Sequence, residues 1–138
     1  MIALASVDDP GLAARAAQIA MSDDIPPQAE SLRFYMLATL AGRHGLVSWQ
    51  AFTANSAKAL VALGAYADET IAQNVPLIYG TEVPLAQLES WIRSKVPPEM
   101  SPVVERGMAM AKFKLAVQAA LTGAADVYLK GRPTATGG

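Results

Sequence analysis

The chain holds one histidine, His44, and no cysteine among its 138 residues. Histidine titrates near neutrality and can act as a general base. His44, however, follows Arg43 directly before Gly45, at a predicted helix end, where the helix dipole favours a cation for structural reasons. No Ser, Asp or Glu stands at a recognisable spacing from it. One imidazole without a thiolate leaves a transition-metal site short of ligands, and disulfides and Cys nucleophiles are excluded. Three carboxylate pairs, Asp8-Asp9, Asp23-Asp24 and Asp68-Glu69, are of the right type for acid–base or cation chemistry. The first two fall at helix starts, where acids are favoured. Adjacent helical residues point about 100° apart, so Asp68 and Glu69 do not face one another. No calcium-loop spacing occurs, and no glycine-rich phosphate loop or nucleophile elbow. These residues predict no catalytic group, no metal and no cofactor, and they weigh against an enzyme.

Binding chemistry has more support. A glycine turn, Gly45-Leu46-Val47-Ser48, lies between two helical patterns, as a helix-turn-helix requires. Its second helix would present Gln50, Thr53, Asn55 and Lys58, side chains able to hydrogen-bond bases. That helix has a single basic residue, and the formal net charge is −1, so the charge balance speaks against nucleic acid. Tyr79 falls in the one stretch that reads as irregular, where aromatics often serve binding. Met108, Met110 and Phe113 form an adaptable apolar group near the C-terminal end.

The elements carrying these residues are helical. Ala is the commonest residue and the best helix former. Asp9-Pro10 predicts a cap and a first helix over 12–21, with Leu12, Ala16 and Ile19 on its apolar stripe. Asp24 followed by Pro26-Pro27 predicts a second, ending at Arg43-His44 with Gly45 as a left-handed C′ residue. Ser48 predicts a cap for a third, whose stripe runs Trp49, Phe52, Ser56, Leu60, Leu63, Ala67, Ile71, with Gly64 interrupting it. Asn74 and Pro76 end it, leaving 74–84 irregular. A fourth carries Leu85, Leu88, Trp91, Ile92 and Val96 and stops at Pro97-Pro98. Ser101-Pro102 opens the last and longest, over 103–130. It bears two apolar stripes: Met110, Phe113, Val117, Leu121, Ala124 and Tyr128 on one, Val104, Met108, Ala111 and Leu115 on the other. A helix apolar over most of its circumference is central in its domain or buried in a partner.

The sequence therefore predicts an all-α fold: one bundle-like domain of about five helices over 1–130, with a long C-terminal helix and a flexible tail over 131–138. Gly137-Gly138 has the form of the diglycine ends of ubiquitin-like carriers, but those folds are β-rich and nothing here predicts a β-grasp. The longest uncharged run, 70–81, contains Asn74, Pro76 and Gly80 and is too short and broken to span a bilayer. Residues 1–7 lack the basic start of a signal peptide, so the chain reads as cytoplasmic. Function is expected to be that of a non-enzymatic interaction or assembly module, with a protein partner or itself as the partner. The rivals are a helix-turn-helix DNA binder and a small-ligand protein or enzyme with Tyr35, His44, Tyr66 or Tyr79 around a pocket.

Overall fold

The computed structural model describes residues 8–132, and the diglycine end and residues 1–7 lie outside them. Among the described residues seven α-helices form and no strand does. Helix α1 (Pro10–Met21) starts as its sequence dictates. Asp9 accepts the Leu12 N–H at 2.9 Å, and Pro10 occupies the first turn, where its missing N–H costs nothing. The face it buries is Ala13, Ala16, Ala17 and Ala20, so the expected stripe is rotated and Leu12 stays exposed. Those small side chains let α1 lie close against α2 (Ser31–Ala41) and α3 (Gly45–Ala54).

Arg33 of α2 holds the far end of α1. Its buried guanidinium donates from Nη1 to the carbonyls of Ala20 at 2.9 Å and Ser22 at 2.6 Å. Carbonyls at a helix C-terminus carry partial negative charge, which offsets the cost of burying a cation.

Several boundaries differ from the sequence reading. Asp24 caps nothing: its N–H turns back to Ser22 Oγ, Pro27–Ala29 form a 3₁₀ turn, and α2 begins only at Ser31. Gly45 is not a left-handed cap. The chain turns through 42–44, His44 N–H returns to the Leu40 carbonyl at 2.8 Å, and Gly45 opens α3. Ser48 therefore sits inside α3 instead of capping it. The long third helix is broken into α3, α4 (Ser56–Ala59), a 3₁₀ segment (Val61–Tyr66) and α5 (Ala67–Tyr79). Two residues account for the breaks. Asn55 leaves helical geometry to cap α4 through its side chain. Gly64 takes φ +52°, alone in that region among the described residues. The stretch expected to be irregular is helical to Tyr79, with Pro76 inside α5.

Helix α6 (Leu85–Lys95) ends before Pro97-Pro98, and α7 (Ser101–Gly131) starts with Pro102 in its first turn. Helices α5, α6 and α7 pack on one another, and α5 joins this group to α2 and α3. The junction is aromatic. The Trp49 ring lies 5.1 Å from Tyr79 and 5.2 Å from Trp91, and Phe52 stacks on Tyr79 at 5.7 Å. Among the described residues no helix is long and apolar enough to cross a membrane.

Candidate functional site

Helix α7 has two halves. The first buries Val104, Gly107, Met108 and Ala111 against the body. Gly107 allows the backbones of α5 and α7 to meet. Lys114 makes the last link, donating from Nζ to the carbonyl of Leu77 near the end of α5 at 2.8 Å. Beyond this point the helix leaves the body. Of residues 112–132 only Leu115 is partly covered; the rest are exposed. At 1.5 Å per residue this arm projects about 30 Å.

The arm is not a polar helix. Phe113 is 65% exposed, Leu121 65% and Tyr128 66%, with Met110, Val117, Val127 and Leu129 also open. Isolated surface apolar residues are ordinary; here Phe113, Val117, Leu121 and Tyr128 recur at spacings of four and seven along one helix face. Charge is divided unevenly. The arm holds four cations, Lys112, Lys114, Lys130 and Arg132, against Asp126 alone. With a net charge of −1 for the whole chain, the remainder is acidic.

The two candidate binding residues Met110 and Phe113 stand on this surface, whereas Met108 and Tyr79 are core. Tyr79 closes α5, buried against the Ser48 hydroxyl at 2.9 Å. The single Ser48 proton goes to the Leu37 carbonyl at 2.6 Å, so Tyr79 is the donor between the two hydroxyls. Burial pushes the Tyr79 phenol up to about 12, against the opposing pull of the Ser48 hydrogen bond.

The four residues offered for base contacts are largely engaged. Thr53 returns its hydroxyl to the Trp49 carbonyl, Asn55 caps α4, and Lys58 Nζ pairs with Asp23 at 2.5 Å. That pairing holds the Asp23 carboxyl below its ordinary value, chiefly through the Lys58 hydrogen bond. Gln50 is exposed. It edges a groove of ≈ 430 Å³ between α1 and α3, floored by Ala17, Val47, Ala51 and Ala54. Tyr35 and Tyr66 point to solvent while Tyr79 points inward, so the tyrosines do not converge on one pocket. No three acidic or histidine side chains cluster among the described residues.

Sequence reasoning singled out Met110 and Phe113 but not Val117, Leu121, Val127, Tyr128 or Leu129 as surface. One signal was present. The buried row Val104, Met108, Ala111, Leu115 turns polar at Gln118 and Thr122, which marks where the body ends. No known protein family, curated protein or solved structure matches this chain.

Proposed function

We propose that the protein is a non-enzymatic assembly module, a bundle-like helical body that presents the projecting half of α7 as its docking element. The observation that carries this reading is the row of open apolar side chains from Met110 to Leu129 on a helix that nothing in the body covers. Helices in proteins draw most of their stability from packing an apolar face, and exposed apolar area of this kind is stabilised by burial in an interface, at roughly 25 cal/mol per Å². The partner class is protein, foreign or self. DNA reading is not favoured, because the one cation of the α3–α4 region is paired with Asp23.

The test compares the natural chain with a Phe113→Asp/Leu121→Asp variant by light scattering after size exclusion, alone and after recovery from native extract. The natural chain is expected in assemblies heavier than 14.5 kDa, and the variant as a single folded chain. If both run as single chains with nothing retained, the reading is wrong.

A further inference from the structure

We infer that Val61–Tyr66 is a hinge across which two copies of this chain exchange halves: the segment straightens into helix, and the α5–α7 half of each copy packs on the α1–α4 half of the other. This goes beyond the docking role of α7 and does not depend on it.

The first argument is that the apolar period runs on where the helix stops. Ser56, Leu60, Leu63, Ala67 and Ile71 step by four, three, four and four, the spacing of one helix face. The chain nevertheless leaves α-helical geometry inside that run. Val61–Tyr66 is a 3₁₀ segment of six residues, longer than the three or four over which that geometry usually holds, and such a stretch between α-helices marks a hinge or strain. Its side chains do not ask for it, since Ala62, Leu63 and Ala65 suit an α-helix. Gly64 is the residue of the segment outside helical dihedrals, at φ +52° and ψ −122°. Within the segment, one glycine therefore separates the bent chain from a helix running unbroken from Ser56 to Tyr79.

The second argument is that the hinge is held by little else. Of residues 61–66 only Leu63 is partly covered, and the other five are exposed. Nothing stands within 4 Å of a would-be Cβ on Gly64. An open pocket of ≈ 380 Å³ lies beside the turn, with Leu60, Gly64, Asp68 and Lys95 on its wall. Straightening gives up few contacts here and restores the i→i−4 backbone bonds of an α-helix.

The third argument is that each half is packed within itself. Helices α1, α2 and α3 lie on one another with α4 against α2, and Lys58 of α4 is tied to Asp23. Helices α5, α6 and α7 form the second group. The two groups meet through Ser48, Trp49 and Phe52 on one side and Tyr79 and Trp91 on the other. A straight helix would carry Tyr79 about 30 Å along its axis from Leu60, away from Trp49 and Phe52. The two faces so uncovered already fit each other, so a pair of copies re-forms the same junction twice and leaves no new apolar surface open. Exchange of identical parts between protomers has a low cost for this reason. The two forms differ at the hinges alone, and concentration sets their balance.

Gly45 and Glu82 report which chain supplies each half. A Cβ on Gly45 would lie 3.1 Å from that of Glu82, within a few tenths of an ångström of the span a disulfide bridges, and the chain has no cysteine of its own. The full-length Gly45→Cys/Glu82→Cys protein is held concentrated just below its Tm, cooled, diluted, oxidised and run on a denaturing gel without reductant. A closed chain bonds within itself and runs at 14.5 kDa. A swapped pair is bonded between chains and runs at twice that mass, whereas contacts through the α7 arm do not survive the gel. The double-mass band is expected with the natural hinge. Adding Gly64→Ala should raise the ratio of pairs to single chains about tenfold, because alanine resists positive φ and favours the straight helix at two hinges per pair. Adding Val61→Pro should remove the band, since proline suits the first turn of the bent segment but breaks a helix interior. A single-chain band alone, with both the natural hinge and Gly64→Ala, would overturn the exchange. A double-mass band that neither substitution changes would overturn the hinge. Should Gly64→Ala fail to fold, the natural hinge compared with Val61→Pro decides by itself.

Discussion

A Cβ added to Gly107 would collide with the carbonyl oxygen of Ala72. That carbonyl would ordinarily accept the N–H of residue 76, but residue 76 is proline and has none. The imino residue in α5 and the glycine in α7 thus meet at one atom, and the contact sets how closely the two helices lie. Cα–H···O approaches of this kind recur where helices touch.

Gly107→Ala is expected to destabilise the fold, although alanine suits a helix interior better by about 0.5–1 kcal/mol. The obstruction is backbone, not a flexible side chain, so α7 must shift bodily. Overpacking of this type costs about 1–3 kcal/mol. Thermal unfolding followed by circular dichroism should show a Tm lower by several degrees, and an unchanged or higher Tm would contradict the contact.

Ser48→Ala should cost more than Tyr79→Phe. Removing Ser48 strips the buried Tyr79 hydroxyl of its acceptor, a loss of about 1–3 kcal/mol. Removing the phenol hydroxyl leaves Ser48 still donating to Leu37, so about 1 kcal/mol is lost. Denaturant midpoints of the two variants and the double variant decide it; the reverse order would show that the Ser48–Leu37 bond matters less than its geometry implies.

How much was legible divides along these same residues. Helix type, the Asp9 cap, the proline stops and the long C-terminal helix follow from local chemistry. The breaks at Asn55 and Gly64 were not legible from periodicity, because the apolar spacing continues through them. Pro76 misled in the other direction. A proline inside a helix costs a hydrogen bond and bends the helix without always ending it, and here the Ala72 carbonyl it leaves free faces Gly107 of α7, thirty-one residues along from Pro76. Tyr79 was misplaced for that reason alone. Met110 and Phe113 stood out by type, but separating them from buried Met108 required knowing where the body ends.

Alkaline stability should fall between pH 10 and pH 12. The folded-state pKa of Tyr79 lies at about 12 against an ordinary value of 10.0. In that window the unfolded chain has released the proton and the folded one has not, so rising pH favours unfolding. Tyr79→Phe should remove this part of the slope. A variant that loses stability as steeply as the natural chain over the same window would assign the effect elsewhere.

Amides over residues 116–131 should exchange with solvent much faster than those of the buried half of α7 in dilute solution, and become protected as concentration rises. Beyond Lys114 and Leu115 the arm has no contact with the body to hold it when the chain is single, and exposed helix ends fray. Mass-spectrometric exchange at two concentrations tests this. Equal protection of both halves at high dilution would show that the arm is held by something other than a second chain.

Arg33 gives α1 one fixed end and one loose one. Unwinding the last turn of α1 would take both carbonyl acceptors from a buried cation, whereas the first turn is held by the exposed Asp9 cap, the exposed Arg43–Asp8 ion pair and the small side chain of Ala13. Peeling of this helix therefore proceeds from Pro10 and halts before Ala20, so a protease finds its foothold at the front of α1, and the bend that carries the chain into α2 is among the last parts to let go.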